Sequence, residues 1–275
     1  MSKQKKGLNR NVIDKFYTKP EIANLCIKNL LKLNLIDKTK DYIIEPSAGN
    51  GSFISYIKNI CNNYIFYDIK PENKLIECQD FLNYDYSKCN NYKKIHIIGN
   101  PPFGRQSSLA IKFIKKCCLF ANTISFILPK SFKKDSMKKY FALNYHLRLT
   151  IDIPNNSFLV NNIEYNVPCI FQVWEYKKNE RIIKKKLKPI NFIFVKKTEH
   201  PDISFRRVGV YAGKIMKETN DKSSQSHYFI KFTNDKTIGE NLNKLTNIYF
   251  DNDNTVGPKS ISKQELIFEF NRVLK

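Results

Sequence analysis

Tyr42-Ile43-Ile44-Glu45-Pro46-Ser47-Ala48-Gly49-Asn50-Gly51-Ser52-Phe53 reads as a short apolar strand that turns through two glycines into a helix. Glycines at such a strand-to-helix turn let a bulky ligand approach the backbone, because no Cβ stands in the way. A lone Gly-x-Gly also occurs in many tight turns, so the surroundings matter. The strand–helix rhythm recurs: strand 64–68 leads into a short helical segment near 72–77, strand 95–99 into a helix over 107–120, and strand 123–128 follows. Such alternation predicts a mostly parallel sheet covered on both faces. Ligands of these sheets bind beyond the carboxyl ends of the strands, where Glu45, Asp68, Asp80 and Asn100 all fall. Upstream, Thr18 as cap, Pro20 in the first turn and Glu21 closing a capping box predict a helix start. Strands at 147–153 and 167–176, joined by a polar connection with Asn155-Asn156 and Asn161-Asn162, are expected to close the sheet as an antiparallel pair.

Asn100-Pro101-Pro102-Phe103 directly follows Ile95-His96-Ile97-Ile98-Gly99. Two prolines fix the backbone, so the Asn100 amide and the Pro101 carbonyl can both accept from one amino group. Phe103 can stack on the ring that carries it. The plain alternative is a strand ending in a Pro-Pro turn beside a core ring.

Together the two motifs resemble those of adenine-N6 methyltransferases that use S-adenosylmethionine, in style the gamma-class DNA enzymes, over roughly residues 14 to 130. The resemblance implies a Rossmann-like class I methyltransferase sheet, mostly parallel and seven-stranded with an antiparallel last strand, plus a small α+β C-terminal module. It implies that Asp14 to Pro20, with Tyr17 and Thr18, helps hold the methionine end of the cofactor. Glu45, Pro46, Ser47, Ala48, Gly49 and Gly51 form the glycine-rich cofactor loop. Asp68, with Ile69 beside it, takes the ribose hydroxyls. Asp80 and Phe81 sit at the cofactor's adenine, one by its carboxylate and the other by its ring. Asn100, Pro101, Pro102 and Phe103 become the catalytic tetrapeptide, Asn100 also bordering the cofactor. Each position has an ordinary reading too. Asp68 serves as a solvated strand end, Asp80 as a surface acid, Phe81 as a core ring, and Asp14 with Phe16 as a capping turn.

The 275 residues carry 47 Lys and Arg against 25 Asp and Glu, a net charge of +22, which points to a polyanionic partner. Nine basic residues and one acid lie between 112 and 148, including Lys130, Lys133 and Lys134; nine more and one acid lie between 177 and 197. AT-rich coding would explain many lysines but not the scarcity of acids. A nucleic acid is the expected partner, DNA ahead of RNA, with binding that weakens as salt rises. No apolar run reaches membrane-spanning length, and the basic N-terminus has no apolar stretch of a secretory signal behind it. Seven cysteines without a Cys-x-x-Cys pair indicate neither zinc nor a disulfide framework, so an intracellular, reducing compartment is expected. His96, within an apolar strand, reads as a packed residue.

The expected domains are 1–177, a catalytic domain that includes the N-terminal helix, and 178–275, a small basic module for nucleic-acid recognition. In the latter, strands are expected at 190–195, around Phe205 and over 227–232, and a final helix begins at the capping box Ser262 to Glu265. Arg206 and Arg207 suit phosphate or guanine, or surface ion pairs. Tyr228 or Phe229 suits a gap left by an extruded base, or the core. Three other functions fit parts of the pattern: methylation of adenosine in RNA, methylation of a protein glutamine amide, and an inactive nucleic-acid-binding subunit. Phe103 and the charge speak against the glutamine reading, and the intact glycines with Asn100 against the inactive one.

Overall fold

The computed structural model describes residues 16–89, 91–183, 185–250 and 259–275. The chain forms two compact units, dividing between Ile182 and Ile183.

In the first unit the elements follow as β1 (Tyr17–Thr18), α1 (Pro20–Leu31), β2 (Tyr42–Glu45), α2 (Ile54–Ile60), β3 (Asn63–Asp68), β4 (Glu77–Cys78), β5 (Ile95–Gly99), α3 (Ser108–Cys117), β6 (Thr123–Pro129), α4 (Asp135–Lys138), β7 (Tyr145–Asp152), β8 (Phe158–Val160), β9 (Ile163–Tyr165) and β10 (Cys169–Tyr176). Seven strands make one sheet in the order β4-β3-β2-β5-β6-β10-β7. The pairs from β4 to β6 are parallel, and β10 runs antiparallel to both β6 and β7, as the sequence predicted. Every residue of β5 and β6 is buried, the signature of parallel strands covered on both faces.

His96 shows how a polar residue survives inside such a strand. Its two ring nitrogens bond Thr123 Oγ1 at 2.7 Å and Asp41 Oδ2 at 3.0 Å, so it is a satisfied core histidine. Burial holds its pKa below the ordinary value, against the pull of Asp41.

Three expectations fail locally. Residues 72–77 form turns and the brief β4 rather than a helix. Thr18 does not cap α1: Lys19 holds the cap position without a side-chain bond, and Thr18 pairs in β1 instead. The connection between β7 and β10 is a hairpin, β8–β9, whose first strand takes β1 as a neighbour. Asn161 and Asn162 both have positive φ, the geometry of a two-residue type I′ turn, which asparagine tolerates.

The second unit holds β11 (Phe192–Val195), β12 (Ile203–Arg206), β13 (Ile215–Met216), β14 (His227–Phe232), α5 (Ile238–Leu245) and α6 (Lys263–Leu274). Its antiparallel sheet, β11-β14-β12-β13, packs Phe192, Ile203, Phe205 and Ile230 against Leu245, Leu266, Phe270 and Leu274 of the two helices. Both helices start with a complete capping box, Thr237 with Glu240 and Ser262 with Glu265. The second was read from sequence; the first was missed, although Thr-x-x-Glu carries the same signal. Phe229 is 4% exposed, and Tyr228 packs against the same core while its hydroxyl donates to the Ile261 carbonyl.

Ser262→Ala is expected to lower the unfolding free energy by about 1 kcal/mol, because the Glu265 amide loses its acceptor. Urea titration followed by circular dichroism measures this, and an unchanged midpoint would contradict the cap's role.

Candidate active site

The chain order reverses between β2 and β5. From β2 the sheet grows one way through β3 and β4, then resumes on the other side with β5 and β6. Loops leaving the two strands part there, opening a crevice at their carboxyl ends. Glu45 to Gly51 leaves β2 and Asn100 to Phe103 leaves β5, so the two motifs face each other by topology. The resulting pocket is lined by Phe16, Thr18, Glu45, Ser47, Gly49 and Asn100, among others, and encloses about 250 Å³ of empty space including its open mouth. Whole small-molecule sites run to roughly 300–1,000 Å³, so it suits one end of a cofactor-sized molecule.

The glycine turn is held from beneath. Gly49 adopts φ +56°, and a Cβ there would stand 3.3 Å from the Tyr17 ring. Asp68 Oδ2 accepts from the Gly49 amide and Oδ1 from the Lys70 amide, both at 2.8 Å. Ser47 Oγ donates to the Asn100 carbonyl at 3.2 Å, tying one motif to the other. Each carboxylate oxygen of Asp68 keeps capacity for a further donor.

Two buried polar atoms in this pocket lack a partner among the described residues: Glu45 Oε2 and Asn100 Oδ1. The Asn100 amide nitrogen donates to the Phe16 carbonyl at 3.1 Å and to Thr18 Oγ1 at 3.2 Å. A carbonyl can only accept, so the nitrogen must face Phe16 and the oxygen must face away from it. Glu45 is 1% exposed and packs against Gly99. Burial, and secondarily the charge of Asp68, push its carboxyl well above the ordinary range.

An aromatic wall stands beside Asn100. Phe16 stacks on Phe103 at 6.2 Å between centroids and meets Tyr165 at 5.6 Å and Phe158 at 6.5 Å. Sequence reasoning found Phe103 but missed Phe158 and Tyr165, whose signal was alternating residues around an Asn-Asn turn.

Of the other expected cofactor residues, Tyr17 and Ala48 line the pocket. Pro46 lies in the turn after β2, and Gly51 donates its amide to the Ala48 carbonyl. Ile69, just past the end of β3, is 67% exposed. Asp80 is exposed and caps a short turn of helix through the Leu82 amide and the Asn83 side chain. The Phe81 ring is 1% exposed and stacks on Phe113 at 5.5 Å, packing in the core beside Asp80. Pro101 is buried and Pro102 partly so. Asp14 lies outside the described residues.

The candidate phosphate contacts are less open than the sequence suggested. Lys133 and Lys130 pair with Asp152 at 2.8 and 3.8 Å, beyond the carboxyl end of β6, and Lys134 precedes α4 there. Arg206 donates to the Val208 carbonyl and Ser226 Oγ; Arg207 donates to the Gln225 carbonyl and lies over the Tyr228 ring. Neither forms the ion pair considered for it among the described residues. No group of three His, Cys, Asp or Glu there could hold a metal, and no helix is long and apolar enough to cross a membrane.

No protein-family model and no curated protein matches the chain. Among solved structures it is similar to a protein of Listeria monocytogenes assigned as a class I S-adenosylmethionine-dependent methyltransferase, at 13% identity and a TM-score of 0.46, over 64% of this chain and 66% of that one. It is also similar to a modification subunit of an assigned type I restriction enzyme from Vibrio vulnificus, at 12% identity and a TM-score of 0.44, over 90% and 55%. A third is an assigned RNA methyltransferase from Pyrococcus horikoshii, at 16% identity and a TM-score of 0.42, over 63% and 93%. The chain thus spans less than two thirds of the first two. Likenesses this distant carry no weight for function; the sheet order and side-chain geometry do.

Glu45→Gln is expected to stabilise the ligand-free protein at pH 7. With the folded-state pKa raised, wild type is penalised increasingly as pH climbs past the unfolded value near 4.5. The variant's melting temperature should exceed wild type by about 2 °C or more at pH 7, the gap closing as pH falls toward that value. Thermal melts across pH test this; a gap that widens on acidification would reverse the assignment.

Proposed function

We propose that this chain transfers a methyl group from S-adenosylmethionine to the N6 amine of adenine in nucleic acid, DNA ahead of RNA. One observation carries the reading: the Asn100 amide is anchored through its nitrogen, which leaves a fixed, unpartnered acceptor oxygen beside the glycine turn.

The residues present fit that cofactor. Glu45, the buried acid with an orphaned oxygen, would take its ammonium group, and Asp68 its ribose hydroxyls. Exposed Ile69 and the Asp80 carboxylate would flank its adenine, with Phe81 supporting them from the core. When bound, S-adenosylmethionine supplies a methyl carbon activated by a sulfonium.

The chain's own task is to make a poor nucleophile attack. The N6 lone pair of adenine is delocalised into its ring. Asn100 Oδ1 and the Pro101 carbonyl, each accepting one amino hydrogen, draw that nitrogen toward tetrahedral geometry and localise the pair. Polarisation and positioning of this kind supply the rate gain. A neutral amide suffices, because the surplus proton leaves readily once the nitrogen is cationic. The base must leave its stack to reach the pocket, where Phe103 would receive it. Asn100 Oδ1 is closed to solvent in the ligand-free protein, so base entry displaces part of the wall. β1 is the slightest element there, held by two residues of pairing with β8.

On this reading residues 1–177 are the catalytic domain, and the basic module 178–275 adds contacts to the polymer. Lys130, Lys133 and Lys134 serve as phosphate contacts, Lys130 and Lys133 exchanging Asp152 for phosphate. Arg206 and Arg207 act from the module.

Asn100→Ala is expected to lower methyl transfer by at least about a hundredfold while cofactor affinity stays near wild type. Incubation with labelled cofactor and duplex DNA, single-stranded DNA or structured RNA, followed by nucleoside mass analysis, tests the reading. Normal turnover by the variant, or a methylated product other than N6-methyladenine, would overturn it.

A further inference from the structure

Between β12 and β13 the chain runs Arg206-Arg207-Val208-Gly209-Val210-Tyr211-Ala212-Gly213-Lys214. Val210 is 61% and Tyr211 71% exposed, side by side at the tip. An adjacent aliphatic and aromatic pair is held out into water there, an apolar tip small enough to matter only together with the charge and backbone around it.

The tip is rigidly presented. Gly209 and Gly213 take φ of +100° and +101°, and the Ala212, Gly213 and Lys214 amides donate back to Gly209, Arg206 and Tyr211. The loop's base is sewn to a neighbouring segment: Gly209 donates to the Lys259 carbonyl at 2.9 Å, and Ile261 donates to the Arg207 carbonyl at 2.8 Å. Arg206 braces it from within, its Nε on the Val208 carbonyl at 2.8 Å.

Charge identifies the occupant. From Ile203 to Lys217 there are four basic residues and no acid, and Lys259 and Lys263 join them on the segment sewn to the loop and the helix it leads into. Arg206, Arg207 and Lys263 are partly engaged by the module's own carbonyls and rings, which leaves Lys214, Lys217 and Lys259 as the collar of cations for a polyanion. An apolar partner surface would not need them. Duplex DNA needs both parts, phosphates for the collar and base steps or thymine methyls for the tip. We propose that the Val210–Tyr211 tip is a DNA-contacting finger, inserted against base edges while Lys214 and its basic neighbours engage the backbone. This rests on the reading that the chain acts on DNA, but it concerns binding, not chemistry.

The two roles predict different salt behaviour. Apolar contact releases no counterions, whereas each lost phosphate contact reduces the salt dependence by about one unit of slope. Fluorescence anisotropy with the full chain and a labelled duplex, over a range of salt, is the test. Tyr211→Ala is expected to weaken binding about tenfold with the slope unchanged, and Tyr211→Trp to restore it. Lys214→Gln should lower the slope. Melting curves check that the variants are folded. Unaltered affinity in Tyr211→Ala, no duplex binding by wild type, exclusive binding of RNA, or self-association lost on the substitution would each overturn the proposal. Wild type that makes N6-methyladenine in DNA while Tyr211→Ala binds normally refutes the finger alone. Tip-dependent binding without methylated product refutes the enzymatic reading alone.

Discussion

A carbonyl oxygen cannot donate a hydrogen bond, and the orientation of the Asn100 amide in this pocket follows from that restriction. By accepting from Asn100, the Phe16 carbonyl decides which end of a nearly symmetric amide looks into the crevice. Thr18 Oγ1 accepts a second hydrogen from the same nitrogen, but a hydroxyl could equally donate, so the Phe16 carbonyl alone fixes the orientation. The oxygen that remains is a buried acceptor without a partner among the described residues. Its desolvation costs free energy in the ligand-free state, and a ligand offering two amino hydrogens would recover it.

Glu45 carries the same logic to the cofactor side. A buried carboxyl with one oxygen unpaired is unfavourable in isolation and favourable beside a cation. Both orphaned atoms lie at the switch point, where β2 and β5 part, and both belong to motifs of otherwise rigid backbone. Two of the unit's buried unpartnered atoms thus sit where topology opens a crevice, the others being Asp41 Oδ1 and Ser125 Oγ, while the equally buried His96 elsewhere in β5 is satisfied on both nitrogens.

Most of this was legible from the chain. The central strands β2, β5 and β6 are short apolar runs bounded by turn residues, and their periodicity placed them within a residue or two. What sequence could not show was partnership across distance. Thr18 has the ideal chemistry of a helix cap, and local reasoning assigned it that role; a strand from far along the chain claimed it first. Phe81 follows the same pattern: an aromatic beside an acid at a strand edge suits a ligand, but Phe113 and Tyr84 take its two neighbourhoods. Arg206 and Arg207 suited phosphate, guanine or a surface ion pair, whereas nearby backbone carbonyls hold part of their donor capacity. The hairpin β8–β9 and the helix α5 had readable signals, an Asn-Asn turn between Phe158-Leu159-Val160 and Ile163, and a Thr-x-x-Glu box, but both elements are short.

The pairing of β1 with β8 has a consequence for assembly. Tyr17 and Thr18 are made early, yet their strand partners Leu159 and Phe158 leave the ribosome only after most of the sheet has emerged. Before then the Thr18 carbonyl has the Ser52 hydroxyl, Tyr17 has Glu72 and Phe16 has Phe103, but the strand pairing that fixes their register is missing. The parallel strands β2, β3 and β5 and the glycine turn all precede the hairpin in the chain, so the last support for Asn100 is made after them. The support of Asn100 is therefore completed by a closure between distant parts of the chain, and a nascent chain ending short of the hairpin would carry the motif without the β1–β8 pairing.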